Sequence, residues 1–86
     1  MKNINTMTPN ELVEWFLMAS YAYYDQENPI MSDYEFDSIA LRLREQIHHS
    51  DHPHKDLITE DHLATMSGFD IEIPEDIKEK VDQMKR

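Results

Sequence analysis

The side chains best suited to chemistry crowd into one stretch, Tyr21-Ala22-Tyr23-Tyr24-Asp25-Gln26-Glu27-Asn28-Pro29-Ile30-Met31-Ser32-Asp33-Tyr34-Glu35-Phe36-Asp37. Aromatic rings and carboxylates alternate there. No Lys or Arg occurs from Asn3 to Leu41, a span that carries seven acids. A short hinge through Pro29 would set Tyr23 or Tyr24 opposite Asp33 and Asp37. The two aspartates are four residues apart and so share one helix face, where helix-dipole attraction offsets part of their repulsion. Such a pocket suits a flat ligand that is cationic or rich in hydroxyls. Tyrosine faces attract cations, and carboxylates accept hydrogen bonds from sugar hydroxyls. A plainer description fits the same residues: tyrosines at helical spacing pack in cores, and first-turn acids cap helices.

Two helices have to position this stretch. Thr8-Pro9-Asn10-Glu11 is a capping box with proline at the first helical position. Leu12, Val13, Phe16, Leu17, Ala19 and Tyr23 then recur at helical spacing, which predicts a helix over about 9–26. Ser32-Asp33-Tyr34-Glu35 is a second capping box. Phe36, Ile39, Ala40, Leu43 and Ile47 form an apolar stripe behind it, predicting a helix over about 33–49. Leu57 and Ile58 read as core anchors. Phe69-Asp70-Ile71-Glu72-Ile73 alternates, as a short strand or a packed loop would. Pro74-Glu75-Asp76 opens a last helix, over about 75–85, whose buried stripe is Ile77, Val81 and Met84, with Lys85 and Arg86 at its end. The expected fold is all-α: one small helical domain spanning 1–86, built on two antiparallel helices plus a short C-terminal helix.

Composition narrows the function. The chain has 86 residues, 10.3 kDa of mass and a formal net charge of −10. A chain of this size buries only about 60% of its unfolded surface, so the core is thin. The acidic excess argues against direct nucleic-acid binding and against an anionic membrane surface. The absence of cysteine excludes disulfides, thiolate catalysis and cysteine-based zinc sites. No apolar run reaches membrane-span length, and Met1-Lys2-Asn3-Ile4-Asn5 does not resemble a signal peptide, so a soluble, cytoplasmic protein is expected. A single glycine, Gly68, leaves no Gly-rich phosphate loop.

The central motif resembles the N-terminal subdomain Ia of the bacterial NAD-dependent DNA ligases. The matching residues are Tyr23-Tyr24, Pro29, Ser32-Asp33-Tyr34-Glu35-Phe36-Asp37 and Ile39. The likeness continues through Leu43 to His52-Pro53, then Leu57-Ile58-Thr59-Glu60-Asp61, and reaches Gly68, so it covers about residues 10–70. The resemblance implies a ligase Ia-like helical cap that recognises the nicotinamide mononucleotide half of NAD and closes over an adenylation domain. By this resemblance Tyr23 and Tyr24 would touch the nicotinamide nucleotide, and Asp33 and Asp37 would hold its polar groups. Phe36 stands where the family has tyrosine; the ring is kept, and a hydroxyl whose hydrogen bond is typically worth ~0.5–1.5 kcal/mol is lost. The chain lacks the family's Lys-x-Asp-Gly nucleophile motif and its DNA-binding modules, so it is not expected to be an enzyme alone. A partner adenylation domain, as in a split ligase, fits this resemblance. So does a phage-borne relic acting as a protein-interaction module that binds or inhibits a ligase without a ligand.

Weaker signals lie elsewhere. His48, His49, Asp51, His52 and His54 could suggest a metal, but donors this close in sequence point in several directions, and no metal is expected. Trp15 reads as a boundary residue of the core, with an exposed partner anchor as its alternative. Met7, Met18 and Met84 read as core or cap contacts, whereas Met31 and Met66 are undecided. Mimicry of DNA by the acidic surface is a minor reading, because the acids are spread through every segment.

Overall fold

The computed structural model describes residues 3–84. Lys85 and Arg86, expected at the end of the last helix, lie outside the described residues, as do Met1 and Lys2. After a single 3₁₀ turn at Ile4–Thr6, helix α1 runs over Pro9–Ser20. Its capping box forms as expected: the Glu11 amide donates to Thr8 Oγ1 at 3.2 Å, and the Thr8 amide donates to Glu11 Oε1 at 3.0 Å. Helix α2 runs over Asp33–Gln46 behind an equivalent box, Ser32 with Glu35, at 3.1 and 3.0 Å. Helix α3 is Glu60–Thr65 and α4 is Glu75–Met84. Short 3₁₀ turns at Ile47–His49 and Lys55–Leu57 complete an all-helical chain, with no strand among the described residues.

The two long helices are antiparallel. The start of α1 meets the far end of the α2 segment, where Asn10 Oδ1 accepts from Ser50 Oγ at 2.6 Å and from the Asp51 amide at 3.1 Å. Midway, the Phe16 and Phe36 rings stack at 5.0 Å with 23° between their planes. Leu12, Val13, Phe16 and Leu17 of α1 meet Ile39, Ala40 and Leu43 of α2, and all are buried. Ile77 and Val81 of α4, Leu63 of α3, and Met7, Ile58 and Ile73 close the core. Removing a side chain like Phe16 from water stabilises the fold by about 1.5–3 kcal/mol.

Several boundaries differ from expectation for physical reasons. The first helix stays α-helical only to Ser20 and then widens into a π-helical turn over Tyr21–Asp25, closed by the Gln26 amide on the Tyr21 carbonyl at 3.2 Å. The second tightens to 3₁₀ after Gln46, a common way to end a helix. Residues 69–73 are a packed loop: Ile73 is buried and Phe69 is 74% exposed. With no second strand to pair with among the described residues, the alternation holds only for Ile71 and Ile73, which pack on the core, while Phe69 on the same side is exposed. Met84 does not join the buried stripe of α4; it is 48% exposed, one turn past the last core contact at Val81. Of the pair Leu57-Ile58, Ile58 is buried and Leu57 only half-buried. Trp15 packs partly buried against the core.

Helix α3 is not marked by any apolar period in the sequence. Its cap is a Thr-x-x-His variant of the capping box: the His62 amide donates to Thr59 Oγ1 at 3.3 Å, and the Thr59 amide donates to His62 Nδ1 at 2.9 Å. After it, Gly68 lies against α1, where a Cβ would collide with the buried Ser20 hydroxyl. That hydroxyl is already committed to the Phe16 carbonyl at 2.8 Å. Glycine is required at this position for space. Among the described residues no helix is long and apolar enough to cross a membrane.

Candidate functional site

The π-helical turn decides where the tyrosines point. An extra residue in the turn rotates every side chain after it, and such turns are frequent at functional sites. The chain then reverses: Glu27 takes a left-handed conformation (φ 52°), and the Asn28 amide donates to the Ala22 carbonyl at 2.9 Å. Pro29 to Ser32 lead directly into α2. The two helix ends and this hinge enclose a cavity of about 250 Å³.

Ala19, Tyr23 and Tyr24 form one wall of it, residues 29–32 the floor, and Asp33, Phe36 and Asp37 the facing wall. All five residues expected from the sequence, Tyr23, Tyr24, Asp33, Phe36 and Asp37, therefore line one space. The volume lies just below the range of roughly 300–1,000 Å³ typical for drug-sized ligands. It suits a ring with a sugar better than a whole dinucleotide.

Each wall is held from behind. Phe36 rests on Phe16, so it presents an apolar surface fixed by the core. Tyr23 meets Tyr24 edge to face at 4.8 Å, and Tyr24 meets Phe69 edge to face at 5.6 Å. The Tyr24 hydroxyl is hydrogen-bonded to Ser67 Oγ at 2.9 Å. Tyr23 is 46% exposed. Asp33 and Asp37 are exposed at the mouth.

Met66, whose role the sequence leaves undecided, supplies a further wall. It ends α3 in the left-handed conformation (φ 53°, ψ 45°), with the Ser67 amide on the His62 carbonyl at 2.9 Å. This is a Schellman turn, in which glycine is the usual left-handed residue. Methionine there is strained by about 1 kcal/mol or more. The same turn thus delivers two parts of the site, the Met66 side chain and the Ser67 anchor of Tyr24. The signal for it in the sequence is Thr59-x-x-His62 with Gly68 beyond, which frames a short helix and its close return.

No family model matches the chain, and no curated protein or solved structure matches it.

The histidine segment is built differently. His52 approaches Glu14 at 4.0 Å, and His54 Nε2 lies 3.1 Å from Asp76 of α4. His62 Nδ1 accepts from the Thr59 amide, so Nε2 carries the proton donated to Asp70. These partners point in separate directions, and no group of three or more His, Asp or Glu gathers to hold a metal among the described residues. Hydrogen bonds from His62 and His54 hold the Asp70 and Asp76 carboxyls below the usual range, and the Asn10 amide does so for Asp51. Burial pushes His52 below the ordinary histidine value, against the pull of Glu14.

Proposed function

We propose that this cavity binds the nicotinamide mononucleotide half of NAD, and that the chain works as a cap-like accessory domain to an adenylation domain on another polypeptide. The observation supporting this reading is the convergence of Tyr23, Tyr24, Asp33, Phe36 and Asp37 on one cavity. The tyrosine rings offer faces to the pyridinium, and Asp33 and Asp37 accept from ribose hydroxyls or the carboxamide. The domain itself carries out no bond-making step; it would orient the leaving half of NAD while the partner's lysine attacks. An NMR titration of labelled protein with nicotinamide mononucleotide tests this. Saturable shifts clustered at the five residues support the reading, and a flat response into the millimolar range removes it.

A second reading is a protein-interaction module that keeps the fold without the ligand. Tyr34 at 80% and Phe69 at 74% exposure favour it, because aromatic side chains are enriched among the residues that carry interface binding energy. A ligase pull-down lost on Phe69→Ala and unaffected by Asp33→Ala would select this reading.

A further inference from the structure

We infer that the cavity selects the cationic nicotinamide riboside part of its ligand and leaves the phosphate outside, without a counter-charge from the described residues that line it. This rests on the nicotinamide reading above and deepens it. Among the described residues, the lining includes two carboxylates and no Lys, Arg or His.

A helix N-terminus beside a nucleotide pocket would normally welcome the phosphate. Here that end of α2 is already filled. The Glu35 carboxylate accepts the Ser32 amide, and the Glu35 amide donates to Ser32 Oγ. Asp33 and Asp37 flank the same turn, so three carboxylates stand where an anion would dock.

Among the described residues, the basic side chains lie elsewhere. Lys80 pairs with Glu14, Lys78 lies 5.7 Å over the Tyr21 ring, and Lys55 donates to the Ser50 carbonyl at 2.7 Å. Arg42 reaches the Asn5 carbonyl at 3.5 Å. Arg44 sits eleven residues along α2 from Asp33, about 16 Å at the helical rise. From the described residues a phosphate bearing −1.5 to −2 charge therefore meets repulsion at this mouth, whereas a pyridinium meets two carboxylates and tyrosine faces.

The test compares three ligands on the full chain by NMR titration: nicotinamide riboside, nicotinamide mononucleotide and reduced nicotinamide riboside, whose ring is uncharged. In low-salt buffer the riboside is expected to bind about two- to fivefold more tightly than the mononucleotide, with the gap closing near 0.5 M salt as screening takes over. The reduced riboside is expected to bind about tenfold more weakly than the oxidised one, through loss of the cation. Mononucleotide binding tighter than riboside at low salt would overturn the inference while leaving the nicotinamide reading standing. Equal binding of the reduced and oxidised ribosides would overturn it in the same way. Absence of shifts with all three would remove both together.

Discussion

The hinge cavity and the histidine segment each pack several chemistry-capable side chains into a short stretch of chain, and the sequence favours the first. In the fold they reach opposite conditions. At the hinge, residues from two helix ends and the turn after α3 face a common space and are propped from behind by Phe16 and Ser67. In the segment from His48 to His62, most of the polar groups look toward separate internal partners: Glu14, Asp76, Thr59 and Asp70. Local density of functional groups is thus a poor guide by itself. What distinguishes a site is whether the backbone turns those groups toward one another or distributes them among neighbours.

The comparison can be broken most forcefully from the core. Phe16→Ala removes the support under Phe36 and is expected to cost about 3–5 kcal/mol in urea unfolding. A loss below about 1 kcal/mol would mean that the cavity wall does not depend on the packing of Phe16.

Next come the carboxylates. Asp33→Ala and Asp37→Asn each remove a charged acceptor worth about 1.5–3 kcal/mol, so nicotinamide mononucleotide affinity is expected to fall roughly ten- to a hundredfold. His54→Ala is expected to leave that affinity unchanged. If titration found the reverse order, the histidine segment would be the site.

Met66→Gly sharpens the contrast further. It relieves the left-handed strain while losing a partly buried side chain, so stability is expected to stay within about 1 kcal/mol of wild type. Affinity is expected to drop about three- to fivefold through the lost wall. Unchanged affinity would show that Met66 borders the cavity without touching the ligand.

The smallest effect belongs to pH. His52 is depressed by burial, so the folded state binds its proton less readily than the unfolded state does. Stability is therefore expected to be level above about pH 6.5 and to decline slightly below it. Asp51, Asp70 and Asp76 are depressed as well, so their contribution is present above about pH 4 and is lost as pH falls through their folded values. Thermal melts across this range should show two shallow steps. His52→Asn should remove the upper step alone.

Much of the fold is legible in the chain. The capping boxes at Thr8 and Ser32 and the proline before α4 locate three helix starts to within a residue, because caps are local hydrogen bonds between neighbours in sequence. The short helix α3 escapes because six residues hold too few turns to display a period, and its cap uses histidine in place of the usual glutamate. Spacing puts Met84 on the buried side of α4, and the fold does not, because helical period carries no information about how far the opposing surface extends.

By itself, then, the sequence determined the helix starts, the acidic character, and the five side chains worth testing. The first two depend on residue type and near-neighbour spacing; of the five side chains, spacing offers Tyr23 or Tyr24 with Asp33 and Asp37, and Phe36 enters through the family resemblance. Only the tertiary structure decided that these side chains share one cavity, that Met66 and Ser67 complete it, and that the histidines pair off elsewhere. Each of these depends on contacts between residues far apart in the chain. Tyr24 and Ser67, 43 positions apart, meet because Gly68 lets the loop after α3 lie flat against Ser20.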